Sequence, residues 1–277
     1  MSLAVIGLAL FAAIMHATWN AFLRTGADRL WSVTVMSFSS TVVAVPFAIL
    51  HLPTPHAWPY VVLSACLQVT YSVLLVAAYR YGELGQVYPI IRGSVPLLVT
   101  LGGSLIAHQH PTIPQAIGVT LVAVGIMSLS LGKGRAPTAS ILFALATGVI
   151  IASYATVDAI GVRQAGSSGS YTAWVLVIYG ALLPATFVGF RGKLTVDFRA
   201  TETLKALGGG LFSLVSYGVI VAAFALGPAG PITAIRETSV VFAALIGWLF
   251  LRETLTPRRI AACVVVALGA ISIGYRS

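Results

Sequence analysis

The chain has 277 residues, of which 58% are hydrophobic and 8% charged, with a formal net charge of +9 and a mean hydropathy of +0.97. An average soluble chain is about a quarter charged, so this one has too little polar surface to cover a globule in water. The basic excess forms no aromatic-interleaved cluster of the kind that binds nucleic acid; it fits instead the cytoplasmic Lys and Arg of a protein in a bilayer.

Apolar runs of membrane-crossing length, about 20 residues each, follow one another along the chain. They lie at 2–23, 31–50, 58–80, 86–107, 112–131, 138–161, 171–190, 203–226, 230–251 and 256–275. The runs are continuous rather than alternating in polarity, which excludes a transmembrane β-barrel and predicts helices. Their connections are short, so neither a soluble catalytic domain nor a long disordered tail fits. The separators are Gly- and Pro-rich, as at Leu52-Pro53-Thr54-Pro55, Gly166-Ser167-Ser168-Gly169 and Gly227-Pro228. The first run lacks a basic flank and outlasts the core of a signal peptide, and is read as a retained helix.

Polar residues then mark particular faces. In the first run His16, Trp19 and Asn20 share one face, three and four residues apart. The third places Gln68, Tyr71 and Ser72 together. In the fourth, Tyr88 lies one turn before Arg92; Pro89 and Pro96 free backbone groups and predict a local bend. The sixth carries Tyr154 one turn before Asp158, the eighth Ser213, Ser216 and Tyr217, and the ninth Arg236 beside Glu237.

The loops give an orientation. Twelve Lys and Arg, from Arg24 to Arg259, fall on one side of a ten-span chain, and only Arg163 and Arg276 on the other. The positive-inside rule therefore predicts both termini outside the cytoplasm.

The chain also resembles itself. Residues 103–129 match 247–273 at Gly103/Gly247, Thr112/Thr256, Val122/Val266, Gly125/Gly269 and Ser128/Ser272, and the same offset carries Arg92 onto Arg236. Upstream, Ala17-Thr18 matches Ala155-Thr156, which sets Asn20 opposite Asp158. An ordered series that includes an intramembrane Arg in each half is a repeat signal. The expected fold is an all-α integral membrane protein, ten transmembrane helices arranged as two inverted five-helix repeats, 1–133 and 134–277. An odd number of spans per repeat is what inverts the second against the first.

The segments His16-Ala17-Thr18-Trp19-Asn20, Tyr88-Pro89-Ile90-Ile91-Arg92-Gly93, Ile235-Arg236-Glu237-Thr238-Ser239 and Leu251-Arg252-Glu253 resemble motifs of the EamA-type members of the drug/metabolite transporter superfamily. The resemblance covers essentially the whole chain. It implies alternating-access export or exchange of small metabolites through a central cavity, in a multi-pass protein of the bacterial inner membrane. Bacterial amino-acid exporters, aromatic amino-acid exporters among them, are similar. One departure stands out: the acidic residue that usually follows the fourth helix of a repeat is Glu253 in the second half but Gln109 in the first.

Ionisable groups within a span are costly and face a cavity or a partner. Here they are Arg92, Arg236, Glu237 and Asp158, whose formal charges sum to zero. On a functional reading an Arg receives a substrate carboxylate through its planar fork, and Glu237 or Asp158 faces an ammonium. On a structural reading the same groups pair with one another and hold helices together. Tyr88, His16, Trp19, Asn20, Tyr71, Tyr154, Ser216 and Tyr217 are the further residues expected to contact substrate; interfacial anchoring or helix–helix hydrogen bonding is the ordinary alternative for each. His16 is either a proton carrier or a hydrogen-bonded core residue.

No phosphate-binding GxxxxGK[ST] loop, serine elbow or metal-ligand spacing occurs, so no catalytic residue, metal or cofactor is expected. The partners expected are a small-molecule substrate and the lipid bilayer, and a monomer is compatible with both. The leading reading is a secondary-active or facilitative exporter of zwitterionic metabolites such as amino acids. Its competitors are a carrier of nucleotide sugars, sugar phosphates or lipid-linked substrates and, from another class, an integral-membrane lipid-modifying enzyme.

Overall fold

The computed structural model describes residues 1–24, 28–81, 84–131, 137–251 and 254–275, which are helical apart from short turns and carry no strand. The helices are α1 (Leu3–Arg24), α2 (Arg29–Leu50), α3 (Trp58–Tyr81), α4 (Leu84–Ile106), α5 (Ile113–Met127), α6 (Thr138–Gln164), α7 (Ser168–Arg191), α8 (Thr201–Leu226), α9 (Ala229–Arg236), α10 (Ser239–Leu251) and α11 (Pro257–Gly274). They make ten segments long and apolar enough to span a bilayer, with α9 and α10 together forming the ninth.

Local chemistry sets the ends. The Asp28 carboxylate accepts from the Trp31 amide at the start of α2, the Ser167 hydroxyl from the Ser170 amide at α7, and the Thr256 hydroxyl from the Arg259 amide at α11. Gly192, at φ 78°, closes α7 in a conformation that disfavours other residues. α6 runs on to Gln164, beyond the apolar run, and its last turn carries Arg163, whose Nε donates to Phe224 O at 3.1 Å and Nη2 to Gly227 O at 2.6 Å, covering the end of α8.

Among the described residues the ninth span is broken, whereas the proline-bearing fourth is assigned as one helix. α4 stays helical from Leu84 to Ile106 through Pro89 and Pro96. α9 stops at Arg236, and the chain passes through Glu237 and Thr238 in tightened turns before α10 resumes. There Thr238 N–H reaches Ile235 O at 3.0 Å and Val240 N–H reaches Glu237 O at 3.1 Å, three residues back rather than four. The Thr238 hydroxyl takes a further share of Ile235 O, at 2.6 Å.

Packing follows the repeat. Matching the first five spans with the second five makes α1 on α8 equivalent to α3 on α6, and both are among the most extensive contacts. α2 pairs with α7 and α5 with α11, each with its own counterpart. At the α5–α11 crossing, a Cβ on Gly118 would lie 2.5 Å from Gly269 O, and one on Gly125 would lie 3.3 Å from Ala262 O. The sequence offset exchanges these two contacts, carrying Gly118 onto Ala262 and Gly125 onto Gly269. That reciprocity is the signature of a two-fold relation.

Candidate functional site

Both repeats contribute to a cavity of about 110 Å³ within the bundle. His16 and Trp19 of α1, Arg92 of α4, Tyr154 of α6 and Arg236 of α9 stand in its wall. Gln68, Tyr71 and Ser72 of α3 and Ser213, Ser216 and Tyr217 of α8 complete the sides foreseen from the sequence. The Tyr71 and Tyr154 rings lie 6.1 Å apart and tilted.

At one end of this wall the two arginines meet one carboxylate. Arg92 Nη1 lies 3.2 Å from Glu237 Oε1, and Arg236 Nη2 lies 3.3 Å from the same oxygen. Arg92 and Arg236 are 4% and 5% exposed and Glu237 is fully buried. Arg236 Nε and Glu237 Oε2 have no hydrogen-bond partner, so the cluster is ion-paired but not saturated. The repeat relation puts Gly93 where Glu237 stands in the second half, and a Cβ there would lie 2.5 Å from the Met127 side chain and 2.8 Å from Ala123 O. Two arginines from equivalent positions thus share a single acid, leaving one positive charge.

Other groups fix these arginines. Arg92 sits over the Tyr88 ring, 5.3 Å from its centroid, as a cation–π pair. Its Nη2 contacts His16 Nε2. Trp19 Nε1 approaches His16 Nδ1 at 3.2 Å. Guanidinium and indole N–H groups only donate, and a neutral imidazole has a single lone pair. His16 therefore satisfies one of these two donors at a time, and the corner has a hydrogen-bond donor to spare.

Four expected residues lie off the cavity wall. Glu237 is buried between the arginines, and Tyr88 supports Arg92. Asn20 Nδ2 donates to His16 O at 2.8 Å within its own helix. Asp158 lies behind the wall, accepting from Tyr171 OH at 2.9 Å and Tyr217 OH at 3.0 Å. Neither carboxylate is among the residues lining the cavity; Glu237 Oε1 is held by the arginines and Asp158 by two phenols.

Three polar wall residues escaped the sequence reading. Tyr179 OH lies 3.3 Å from Ser72 Oγ, and Ser37 and Ser40 come from α2. Tyr179 sits midway along its apolar run and could have been found by the test applied to Tyr71; isolated serines carry no such signal. Gln109 also finds a role, since its Oε1 accepts from Ala229 N–H at 2.9 Å and so caps α9 from the opposite repeat. Glu253, the acid compared with Gln109, lies outside the described residues.

Residues 3–131 and 138–275 each match the model of the EamA-like transporter family. A crystal structure of another protein superposes with a TM-score of 0.76, covering 97% of this chain and 94% of that one at 16% identity, a likeness of fold. A search of curated proteins finds no match.

Proposed function

The chain belongs to the EamA-like transporter family, and on that premise we propose that it exports small zwitterionic metabolites, amino acids with aromatic members among them, by alternating access. The reading is carried by one observation: guanidinium groups from repeat-related positions stand together in a cavity wall and share one carboxylate oxygen. Glu237 offsets one of the two charges, and the spare N–H groups, Arg236 Nε among them, await a further acceptor. A substrate carboxylate supplies two coplanar oxygens and one negative charge, which matches the fork and the balance together. A phosphate dianion is matched less well by one residual charge, which favours a carboxylate over a sugar phosphate or nucleotide sugar.

In this reading Arg92 and Arg236 hold the carboxylate, Glu237 and Tyr88 hold the arginines, and His16 and Trp19 frame the corner. Tyr71, Tyr154 and Tyr179, with Ser216, offer ring faces and hydroxyls to the ammonium and side chain, and Tyr217 completes the wall. The proposed units are 1–133 and 134–277, and the loop charges support termini outside the cytoplasm of an inner membrane.

Counterflow in proteoliposomes loaded with an unlabelled amino-acid mixture tests the substrate class. The proposal expects accumulation of at least one labelled amino acid. Uptake of a labelled sugar phosphate, with no uptake of any amino acid, would overturn it.

A further inference from the structure

Asp158 is fully buried. The ion pairs among the described residues are Arg92–Glu237, Arg236–Glu237 and Arg191–Asp28, and none includes it. Its surroundings are nonetheless built. Gly161, one turn along α6, leaves room for the Tyr171 ring; a Cβ there would come 2.6 Å from Tyr171 Cε2. That lets Tyr171 OH reach Oδ1 at 2.9 Å, while Tyr217 OH reaches Oδ2 at 3.0 Å. Tyr217 in turn accepts from Gln68 Nε2 at 3.1 Å, and Tyr217 and Gln68 both line the cavity. One phenol thus separates the buried carboxylate from the transport pathway.

The elements packed on α6 supply few charges. α3 contributes Ser64 and Gln68 near the site, α7 Tyr171 and α8 Tyr217. α4 brings Arg92 and α9 brings Arg236, both held by Glu237, and the turn Pro55–Ala57 brings the exposed His56. On α6 itself, Arg163 is committed to the carbonyls of Phe224 and Gly227. Other charged residues of these helices lie toward their ends. An acid so placed in a membrane interior takes its hydrogen bonds from neutral hydroxyls.

We propose that Asp158 is a proton-binding site, set one hydroxyl behind the cavity wall and linked to the substrate site through Tyr217. A hydronium ion in the cavity gives its proton to the Tyr217 oxygen as the phenol's own hydrogen passes to Asp158 Oδ2. Water is released, the phenol is regenerated, and the carboxylate becomes a carboxylic acid that donates back to Tyr217. The phenol hydrogen then points at the cavity, so a wall acceptor has become a wall donor. Proton binding thereby favours a carboxylate substrate twice, by removing a negative charge and by adding a donor. The repeat-related position is Asn20, so the duplication supplies one such site rather than two. The link to substrate rests on the function proposed above, whereas the proton site itself does not.

Infrared difference titration of the purified, substrate-free protein tests the site directly. Acidification is expected to produce a carboxylic-acid C=O band that is absent in Asp158→Asn. In Tyr171→Phe, which keeps the acid, the band moves to higher frequency because the group loses a hydrogen-bond partner. If no band appears in the wild type, or if it stays unshifted in Tyr171→Phe, the proposal falls whatever the substrate proves to be. For an amino acid active in counterflow, wild-type affinity should tighten by about tenfold on acidification, the factor equivalent to one unit of linked titration. Asp158→Asn should be flat; the same pH dependence in both proteins would overturn the link.

Discussion

Arg92, Arg236 and Glu237 form a group whose members are not equivalent when removed. Loss of Arg236 leaves one arginine and one acid, still 3.2 Å apart and mutually neutral. Loss of the acid leaves two buried guanidinium groups beside each other, and breaking a buried pair in this way costs about 3–5 kcal/mol. Glu237→Gln should therefore lower the unfolding temperature in detergent further than Arg236→Ala does; the reverse order would show that the shared oxygen does not hold the cluster. These three residues were legible in the sequence because a charge inside an apolar run is conspicuous whatever surrounds it. Their partners were not. Pairing of both arginines through one oxygen, and enclosure of Asp158 by Tyr171 and Tyr217, depend on residues far apart in the chain.

At the scale of elements, hydropathy located every span, because a bilayer requires long apolar helices and offers few alternatives. It did not locate the interruption. Pro89 and Pro96 are absorbed within α4, while the ninth span breaks at Glu237 and Thr238, where a buried ionic group and a hydroxyl turned onto Ile235 O compete with regular helix bonding. The tight crossing of α5 on α11 lies at Gly118 and Gly269. A Cβ at position 118 would lie 2.5 Å from backbone oxygen, which cannot swing aside as a side chain can. Gly118→Val should thus destabilise the fold by about 1–3 kcal/mol, the usual cost of overpacking, read as a lowered unfolding temperature. An unchanged temperature would mean that α5 and α11 are not in such contact.

For the whole molecule, the duplication explains both the architecture and the site. The two halves interleave, since α6 packs on α3 and α4 while α1 packs on α8 and α9. Every wall of the cavity therefore draws on both repeats, which places Arg92 and Arg236 side by side. An internal match reveals such a duplication but not which helices cross between the halves. On the proposed orientation, a fluorescent protein fused after Ser277 should remain dark because it matures poorly outside the cytoplasm; bright fusions would reverse the topology. Whether the paired guanidinium groups receive the substrate is decided by counterflow of a labelled amino acid into proteoliposomes bearing folded, monodisperse Arg92→Ala or Arg236→Ala protein. Either substitution is expected to abolish accumulation, whereas wild-type rates in both would show that the carboxylate binds elsewhere.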